Sequence, residues 1–260
     1  MSILVFDIES VPDYESGRKI HKLTDDLSDK DVVKAMQHLQ FQKSGSEFMP
    51  LHLQKIVAIS VVFEKHDQLK VWSLGNKDSD EKEIIQRFFE GIEQHTPTLI
   101  SWNGGGFDLP VLNYRALLHG VQAPRYWETG DDDSSFRYNN YISRFHWRHT
   151  DLMDVLANYQ PRAGAKLDQI ATMLGFPGKF GMDGSLVWEK FQEGAIEEIR
   201  NYCETDVLNT YLVYLQFEMI RGRCSRGLTT QKIERVKDLL RESGENHLEE
   251  FLEVWEQGDS

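Results

Sequence analysis

The sequence of 260 residues contains little of several residue types, and each shortage excludes a class of protein. Its two cysteines, Cys203 and Cys224, are too few for a disulfide framework or a four-thiolate zinc site, so we expect a reducing, cytoplasmic location. No apolar run approaches the length of about 18 residues that a membrane-spanning helix needs, and we expect no membrane partner. The first residues lack a basic cluster and place Asp7 within their short apolar stretch, so they predict a strand and not a secretion signal.

Positive charge is also in short supply. The formal net charge is −13, which excludes a strongly basic protein that coats nucleic acid. However, residues 242–260 contain seven acids and no Lys or Arg, so this segment carries more than half of the net charge. These acids are Glu242, Glu245, Glu249, Glu250, Glu253, Glu256 and Asp259. An enzyme whose remaining carboxylates bind metal ions is still compatible with a nucleic-acid partner.

The hydrophobic pattern alternates between strands and helices, which predicts an α/β fold with one sheet flanked by helices. Strands are predicted over 3–8, 56–63, 69–74, 98–102 and 147–153, the first of them central because it is apolar on both faces. Helices are predicted over 29–42, 80–94, 109–119, 166–174, 194–219, 227–242 and 245–256, with Asp29 as the N-cap of the first. Whether residues 13–53 cover a functional site or pack behind the sheet stays open.

This pattern divides the chain into two segments. We predict a main domain over residues 1–221 and a C-terminal helical extension with an acidic tail over 222–260. Apolar residues of the tail are spaced for one helical face, which would dock either on the chain's own core or on another protein. They are Leu248, Phe251, Leu252 and Trp255.

Acidic residues stand where the first strand should continue with apolar ones. Because strand side chains alternate, Asp7 and Glu9 point to the same face as Ile3 and Val5. Acids are seldom buried unless they are paired or bind a metal ion. If the strand ends at Phe6 instead, both acids are simply solvated, and this pair alone does not decide between the two interpretations.

A second polar group follows the strand predicted at 98–102. Three glycines separate Asn103 from Phe107, and Asp108 stands at the start of the next helix. The helix dipole favours an acid at that position in any case, so Asp108 alone is weak evidence for a site. The glycines match neither of the common phosphate-binding patterns.

The third group lies on the long helix predicted at 194–219. Tyr202 and Asp206 are four residues apart and therefore on one side of this helix. Ile199 and Val213 belong to the same stripe, which places Asp206 on the face that meets the sheet. A capped or ion-paired aspartate at the margin of the stripe is the alternative. Since an unpaired buried carboxylate is costly, the inward placement favours a metal-ligand role.

Together these groups supply four acids and one tyrosine. Convergent carboxylates suit Mg²⁺ or Mn²⁺, and roughly two divalent ions would neutralise four negative charges in one cavity. The isolated cysteines and the absence of an H-E-x-x-H motif give no zinc site.

In this order the motifs resemble those of the DEDD superfamily of exonucleases, with the tyrosine of its DEDDy subgroup. The chain is similar to stand-alone bacterial 3′–5′ exonucleases related to the proofreading domain of family B DNA polymerases. The resemblance covers about residues 1–220 and includes the stretches 166–179 and 182–184. The motifs are D-x-E (Asp7, Glu9), N-x3-F-D (Asn103, Phe107, Asp108) and Y-x3-D (Tyr202, Asp206).

The resemblance implies an RNase H-like (DnaQ-like) fold with a mixed sheet of about five strands, and 3′–5′ hydrolysis of single-stranded DNA that releases nucleoside monophosphates by a two-metal-ion mechanism. By the same resemblance, Asp7 would bridge both ions, and Glu9 and Asp206 would complete the site beside the attacking water. Asp108 would support the second ion, directly or through water. Tyr202 would orient the water, since its ordinary pKa near 10 makes it a poor base.

Substrate contacts are expected from two places. Asn103 and Phe107 would touch the terminal nucleotide, although turn and core roles are equally open to them. The segment 137–166 interleaves basic residues with aromatic ones, as a surface for single strands does, and a packed aromatic loop is the alternative. The predicted contacts there are Arg144, Arg148 and Lys166, among the aromatic residues Tyr138, Tyr141, Phe145, Trp147 and Tyr159.

Two other functions stay open at this point. The same site could degrade short RNA, because no residue of the sequence indicates recognition of a 2′-hydroxyl. A catalytically silent nucleic-acid-binding protein is the other candidate, and the intact motif positions argue against it.

Overall fold

One mixed sheet organises the computed structural model, which describes residues 2–66, 68–179 and 181–258. In spatial order, the strands are β3-β2-β1-β4-β5. β1 is antiparallel to β2, β2 is antiparallel to β3, and β4 is parallel to both β1 and β5. The strands are β1 (Ser2–Pro12), β2 (Gln54–Lys65), β3 (Gln68–Ser73), β4 (Thr98–Ser101) and β5 (His149–Asp151).

Helices cover both faces of this sheet. The first seven are α1 (Tyr14–His21), α2 (Asp29–Ser44), α3 (Glu81–His95), α4 (Asp108–His119), α5 (Pro124–Trp127), α6 (Leu152–Leu156) and α7 (Leu167–Met173). The others are α8 (Val187–Gln192), α9 (Ile196–Ile220), α10 (Arg226–Glu242) and α11 (Asn246–Gly258). The predicted α/β architecture with an RNase H-like, five-stranded mixed sheet is confirmed.

Alternation along β1 builds two hydrophobic layers. Ile3 and Val5 belong to a buried cluster with residues of α9, α10 and α11. Leu4, Phe6 and Ile8 belong to a second cluster with residues of α3 and α4. The prediction of a central strand covered on both faces is therefore confirmed.

The C-terminal helices pack on the chain itself. The four apolar residues predicted to share one helical face are all buried in the cluster that α9 forms with the sheet. The prediction of docking on the chain's own core is thus confirmed for α11. Asp259, counted above in the acidic tail, lies outside the described residues. The boundary at 221/222 stays a prediction.

Several predicted boundaries need correction. β1, predicted over 3–8, continues through both acids to Pro12, since it stays paired with β2 along this length, and the alternative end at Phe6 is wrong. The N-cap of α2 is Ser28 and not Asp29, because the Ser28 hydroxyl accepts the Asp31 N–H. The short helices α5, α6 and α8 were not predicted, since helices of about one turn leave little periodicity to detect.

None of the helices in the described part of the chain combines the length and apolar character that crossing a bilayer requires. Cys203 and Cys224 are buried thiols outside any disulfide. The cytoplasmic location stays a prediction.

Candidate active site

The second half of β1 carries Asp7 and Glu9 on the face that α9 covers. Asp7 lies opposite Ser60 and Glu9 opposite Ala58 in the antiparallel pairing with β2, which keeps the strand extended through both acids. Asp7 is half-buried, whereas Glu9 is buried. A register shift follows directly between Glu9 and Ser10, so the acids end the stretch of β1 that precedes this irregularity.

Asp108 reaches the same strand from the neighbouring edge. The pairing of β1 with β4 spans Ile3 to Val5 and goes no further, so the N–H of Ile8 has no partner in β4. The Asp108 carboxylate accepts this N–H at 3.2 Å. Asp108 is 3% exposed in the first turn of α4. A buried acid thus lies between the positions of Asp7 and Glu9 on β1.

A tight glycine turn places Asp108 there. Asn103 has a left-handed φ of +63°, and its carbonyl accepts the N–H groups of Gly106 and Phe107, both at 2.9 Å. A Cβ at Gly104 would lie 2.5 Å from the Cβ of Ser101 and clash with its Oγ, so the turn needs glycine at this position. The backbone geometry of the turn explains the glycines, and no phosphate-binding role is needed to account for them.

Asp151, at the end of β5, holds the same turn from the other side. Its carboxylate oxygens accept the N–H groups of Asn103 and Gly105, both at 2.9 Å. This residue was not predicted from the sequence. The available signal was an acid inside the strand predicted over 147–153, but nothing in the sequence pairs it with a turn almost fifty residues away.

Helix α9 brings Tyr202 and Asp206 to the acids of β1. Tyr202 is buried, and Asp206 lies one turn further along the same side of the helix. One residue further, the Cys203 thiol lies 3.5 Å from the Asp7 carbonyl and 3.7 Å from Asp7 Oδ2, which attaches α9 to β1. One ligand atom from each of Asp7, Glu9 and Cys203 lies within 4.8 Å of the others. The predicted inward placement of this stripe is therefore found.

Burial and neighbouring negative charge raise the pKa values of the four carboxyl groups. For Asp7, burial raises the pKa most, followed by the charges of Asp108, Glu9 and Asp206. Burial and then Asp206 raise the pKa of Glu9. Burial is the main cause for the other two as well, raising the pKa of Asp108 to about 7 and that of Asp206 to about 6. The four acids thus concentrate negative charge in one place, and little positive charge nearby compensates for it.

One lysine provides part of the missing positive charge. Lys179 lowers the pKa values of Glu9 and Asp206, and its Nζ lies 5.6 Å from the centre of the Tyr202 ring. The same Nζ is paired with Asp183 at 2.7 Å. Lys179 lies in a stretch noted above for its resemblance, but no role was assigned to it from the sequence.

The donor atoms of the site fit hard divalent cations. Four carboxylates supply oxygen ligands and repel one another unless positive charge is added. In the metal-free protein, burial and then the charge of Asp7 raise the pKa of the Cys203 thiol well above the usual range, so the four carboxylates are the ionisable oxygen ligands of the site. The set therefore suits Mg²⁺ or Mn²⁺ better than zinc.

The predicted substrate contacts are spread more widely. Asn103 is exposed at the glycine turn and shares a cavity of about 590 Å³ with Arg144. Phe107 is half-buried beside Asp108, and Lys166 is exposed at the start of α7. Their roles as substrate contacts stay predictions.

Two basic residues of the 137–166 segment already have partners within the chain. Arg144 forms a two-pronged ion pair with Asp154, with N–O distances of 2.6 and 2.7 Å. The Arg148 guanidinium stacks 3.9 Å from the centre of the Phe136 ring. Substrate contact by either residue stays a prediction, and for Arg144 it would compete with Asp154.

The aromatic residues of the segment divide into two groups. Tyr141 is 1% exposed and donates its hydroxyl to the Pro97 carbonyl, so for this residue the packed aromatic alternative applies. Tyr138, Phe145 and Trp147 are exposed.

Comparison with known proteins assigns the family. Residues 46–255 match the family model described as a predicted 3′–5′ exonuclease related to the exonuclease domain of PolB. The chain belongs to this family. The matched range of this exonuclease family contains Asp108, Tyr202 and Asp206, whereas Asp7 and Glu9 precede it.

Relatives of this family member are much longer polymerases. The catalytic polypeptide of DNA polymerase epsilon from Dictyostelium discoideum is 27% identical over 143 residues, which are 54% of this chain and 6% of the relative. A DNA polymerase of Archaeoglobus fulgidus is 26% identical over 161 residues, 61% of this chain and 19% of the relative. The chain thus spans less than a fifth of the length of these curated relatives.

A solved family B DNA polymerase, from the hyperthermophilic archaeon Pyrobaculum calidifontis, superimposes with a TM-score of 0.49 and 17% sequence identity. The superposition covers 85% of this chain and 24% of the polymerase chain.

Proposed function

We propose that this protein is a metal-dependent exonuclease that removes nucleoside monophosphates from the 3′ ends of single-stranded DNA. The observation that carries the proposal is the convergence of four carboxyl groups with raised pKa values and one buried tyrosine at the end of β1. Membership of a family of predicted 3′–5′ exonucleases supports the reaction. The match to DNA polymerases favours DNA over RNA as substrate.

Asp7, Glu9, Asp108 and Asp206 would hold two divalent ions. When bound, such ions lower the pKa of a water molecule and stabilise the charge that develops on the attacking and leaving oxygens of a phosphodiester. The acids themselves must be ionised to bind cations, and at neutral pH their raised pKa values make cation binding a competition with protons.

Tyr202 would position the attacking water. Burial, and then the negative charge of Asp206, raise the pKa of Tyr202 far above its ordinary value, so the phenol stays neutral at physiological pH. A neutral phenol oxygen keeps a lone pair that would accept a hydrogen bond from the water. Tyr202 is therefore a poor base and a suitable orienting group.

The substrate strand would approach along exposed aromatic and basic side chains. Tyr138 is 83% exposed and Phe145 is 67% exposed, so both can stack on bases. Lys166 offers a charge for a phosphate, since no carboxylate in the described residues pairs with it. These features support a single strand, whose bases are free to stack.

Digestion of labelled oligonucleotides tests the proposal. Single-stranded DNA, duplex DNA and RNA of one sequence are each labelled at the 3′ or the 5′ end and incubated with Mn²⁺ or with EDTA. In Mn²⁺ we expect a ladder from 5′-labelled single-stranded DNA and a labelled mononucleotide from its 3′-labelled counterpart. In EDTA we expect neither product. Faster digestion of RNA would show that RNA, and not DNA, is the substrate. If none of the strands is digested, the proposal is wrong.

A further inference from the structure

A polar cavity of about 540 Å³ lies between α10 and the start of β1, away from the candidate active site. The Tyr214 ring and Leu228 form apolar parts of its wall, and Leu228 is 44% exposed. Gln231, Lys232 and Arg235 line it from α10, on the same helical face as Leu228. None of the described residues that line this cavity belongs to the four acids or their surroundings.

A carboxylate that lines the cavity already has partners within the chain. Glu64 is 6% exposed and accepts the hydroxyl of Tyr211 at 3.1 Å. Its other oxygen lies 2.7 Å from Lys232 Nζ. Glu64 and Lys232 therefore neutralise each other, and this pair adds no net charge to the cavity.

The charge of Arg235, in contrast, is not matched inside the chain. Its Nη2 is buried and has no hydrogen-bond partner among the described residues, although the residue as a whole is half-buried. Burial raises the pKa of the Tyr211 phenol and the charge of Arg235 lowers it, so the guanidinium lies close to this ring. A charged donor that is taken out of water without an acceptor costs free energy. An anion in the cavity would supply that acceptor.

The surroundings of the cavity are basic in an otherwise acidic protein. Residues 221–241 contain seven basic residues and two acids, whereas the whole chain has a net charge of −13. Burial raises the pKa of Tyr214, and the charges of Arg221 and Arg223 lower it, so both guanidinium groups lie near the cavity wall. Arg221 pairs with a glutamate of α9 at 2.8 Å. Within the described ranges, neither Arg223 nor Arg235 forms an ion pair, and the surplus charge is theirs.

We infer that this cavity is a second anion site, outside the active site, which binds a phosphodiester group of the strand that is being degraded. The inference rests on the proposed function and gives α10 a role in holding the substrate. Arg235 donates to the phosphate oxygens, and Arg223 adds positive charge at the rim. Because every nucleotide carries the same phosphate, this contact has no sequence preference.

Arg221 connects the cavity to the exposed aromatic residues of the 137–166 segment. Its guanidinium lies 3.9 Å from the centre of the Trp147 ring, and Trp147 is 45% exposed. Arg223 follows two residues later, in the turn before α10. A strand that leaves the active site along this segment therefore meets positive charge on its way to the cavity.

The distance from the acids determines which phosphate is bound. Tyr214 follows Asp206 by eight residues on α9, which is about 12 Å along the helix axis. At about 3.4 Å per nucleotide of a stacked strand, this span corresponds to at least about four nucleotides. The cavity therefore holds a phosphate on the 5′ side of the bond that is hydrolysed, and only in strands long enough to reach it.

Substrate length separates this contact from the active site. A deoxydinucleotide with a free 5′-hydroxyl has a single phosphodiester, the one to be hydrolysed, so it cannot occupy both sites. The full-length protein and its Arg235→Gln variant are each measured with this dinucleotide and with a single strand of about 20 nucleotides. The Kd of the long strand is measured in EDTA by anisotropy of a 5′ fluorophore at several salt concentrations, and KM and kcat are measured in Mn²⁺.

Two further variants serve as controls. Arg235→Lys keeps the positive charge and should retain most of the affinity. Arg241→Gln removes a charge from the same helix, but Arg241 is paired with Asp238 and Glu256 at 2.9 Å and does not line the cavity. Its Kd and KM should therefore stay within about twofold of the wild type.

A phosphate contact predicts a loss that depends on strand length and on salt. Arg235→Gln should raise Kd and KM for the long strand by about three- to tenfold, and should reduce the slope of log Kd against log salt by about 0.7. Its kcat and its kcat/KM for the dinucleotide should stay at the wild-type values. Because Arg235 has no acceptor to lose, the melting temperature should not fall. A lower melting temperature with unchanged Kd and KM would show a purely structural arginine and overturn the inference.

Inorganic phosphate and a nucleoside monophosphate test for a smaller ligand. Each is added in EDTA while the melting temperatures of the wild type and Arg235→Gln are recorded. If either anion stabilises only the wild type, while both proteins have the same KM for the long strand, the cavity holds a small phosphate and the assignment to the strand is wrong.

The two proposals fail in different ways. Digestion by the wild type, with equal Kd and KM in Arg235→Gln, would refute the second anion site and leave the exonuclease proposal standing. Binding of the long strand that depends on Arg235, without digestion, would refute the exonuclease proposal and keep the anion site. If the wild type neither binds nor digests the strand, both are wrong.

Discussion

The carboxylate of Asp108 and the main-chain N–H of Ile8 are joined by a hydrogen bond of 3.2 Å. This bond forms where β4 has stopped pairing with β1, so a helix side chain takes the place of a strand partner. Ile8 stands between Asp7 and Glu9, and the bond therefore fixes the first turn of α4 to the acidic part of β1. Burial in this position raises the pKa of Asp108 to about 7, although the hydrogen bond from the Ile8 N–H itself lowers it.

Neutral substitution of the acids should abolish activity without unfolding the protein. Asp7→Asn and Asp206→Asn keep the side-chain shape but remove a cation ligand, and we expect kcat for single-stranded DNA to fall by about 100- to 1,000-fold or more. Because each substitution also removes repulsion among four acids, the melting temperature in EDTA should not fall. Asp131→Asn, in an exposed loop, is the matched control and should keep full activity. Activity of Asp7→Asn within tenfold of the wild type would contradict the assignment.

Removing the Tyr202 hydroxyl should separate catalysis from cation binding. Tyr202→Phe keeps the buried ring, so we expect the Mn²⁺ affinity to change by less than about twofold while kcat falls by about 10- to 100-fold. Because the ring stays buried, stability should change by about 1 kcal/mol or less. Titration calorimetry and single-turnover kinetics give the two quantities. Tyr114→Phe, at an exposed position, is the control, and an unchanged kcat for Tyr202→Phe would refute the positioning role.

The raised pKa values predict a pH-dependent penalty on folding. A carboxyl group whose pKa is higher in the folded state stabilises the fold below its unfolded pKa, and this stabilisation is lost as the pH rises through the folded pKa. For Asp108 that loss extends to about pH 7. Between pH 5.5 and pH 8 in EDTA, Asp108→Asn should therefore gain about 2 kcal/mol relative to the wild type.

Urea unfolding at the two pH values measures this difference, since comparison with the wild type cancels the other titrating groups. Cations bind the ionised form, so Mn²⁺ should raise the melting temperature of the wild type more at pH 8 than at pH 5.5. An equal effect of Mn²⁺ at both pH values would show that the acids do not bind it.

The close approach at Gly104 predicts a steep cost for one added methyl group. In Gly104→Ala the new Cβ would clash with Ser101, so the turn must shift and displace Asp108. We expect a loss of about 1–3 kcal/mol of stability and a fall in kcat larger than stability explains. Gly227→Ala in α10 is the control, because a Cβ there meets no atom within 4 Å and alanine should stabilise the helix by about 0.4–1 kcal/mol. Full activity of Gly104→Ala would contradict the account of the turn.

The fold was predictable where the sequence has strong periodicity. Apolar residues on both faces of β1 identified the central strand, and the long stripe of α9 identified the helix that covers the acids. Whether Asp7 and Glu9 lay inside the strand was not predictable, because it depends on pairing with β2 as far as Pro12. The acids can be identified in the sequence, but pairing with β2 determines on which face of the sheet their side chains lie.

The site was predictable in its acids and incomplete in their surroundings. A carboxylate at an apolar position stands out in any sequence, whereas Asp151 acts through main-chain N–H groups of a distant turn. Exposure of aromatic residues was equally hidden: Tyr141 is core and Phe48 is surface, although both stand in segments of mixed composition. Whether such an aromatic residue is buried depends on its tertiary contacts, which no local sequence pattern indicates.

Anomalous scattering from a crystal soaked in Mn²⁺ tests the central claim most directly. We predict two peaks, each within bonding distance of carboxylate oxygens from the set Asp7, Glu9, Asp108 and Asp206, and their disappearance in Asp7→Asn. Manganese bound elsewhere on the molecule, with these four carboxylates left without a peak, would contradict the account.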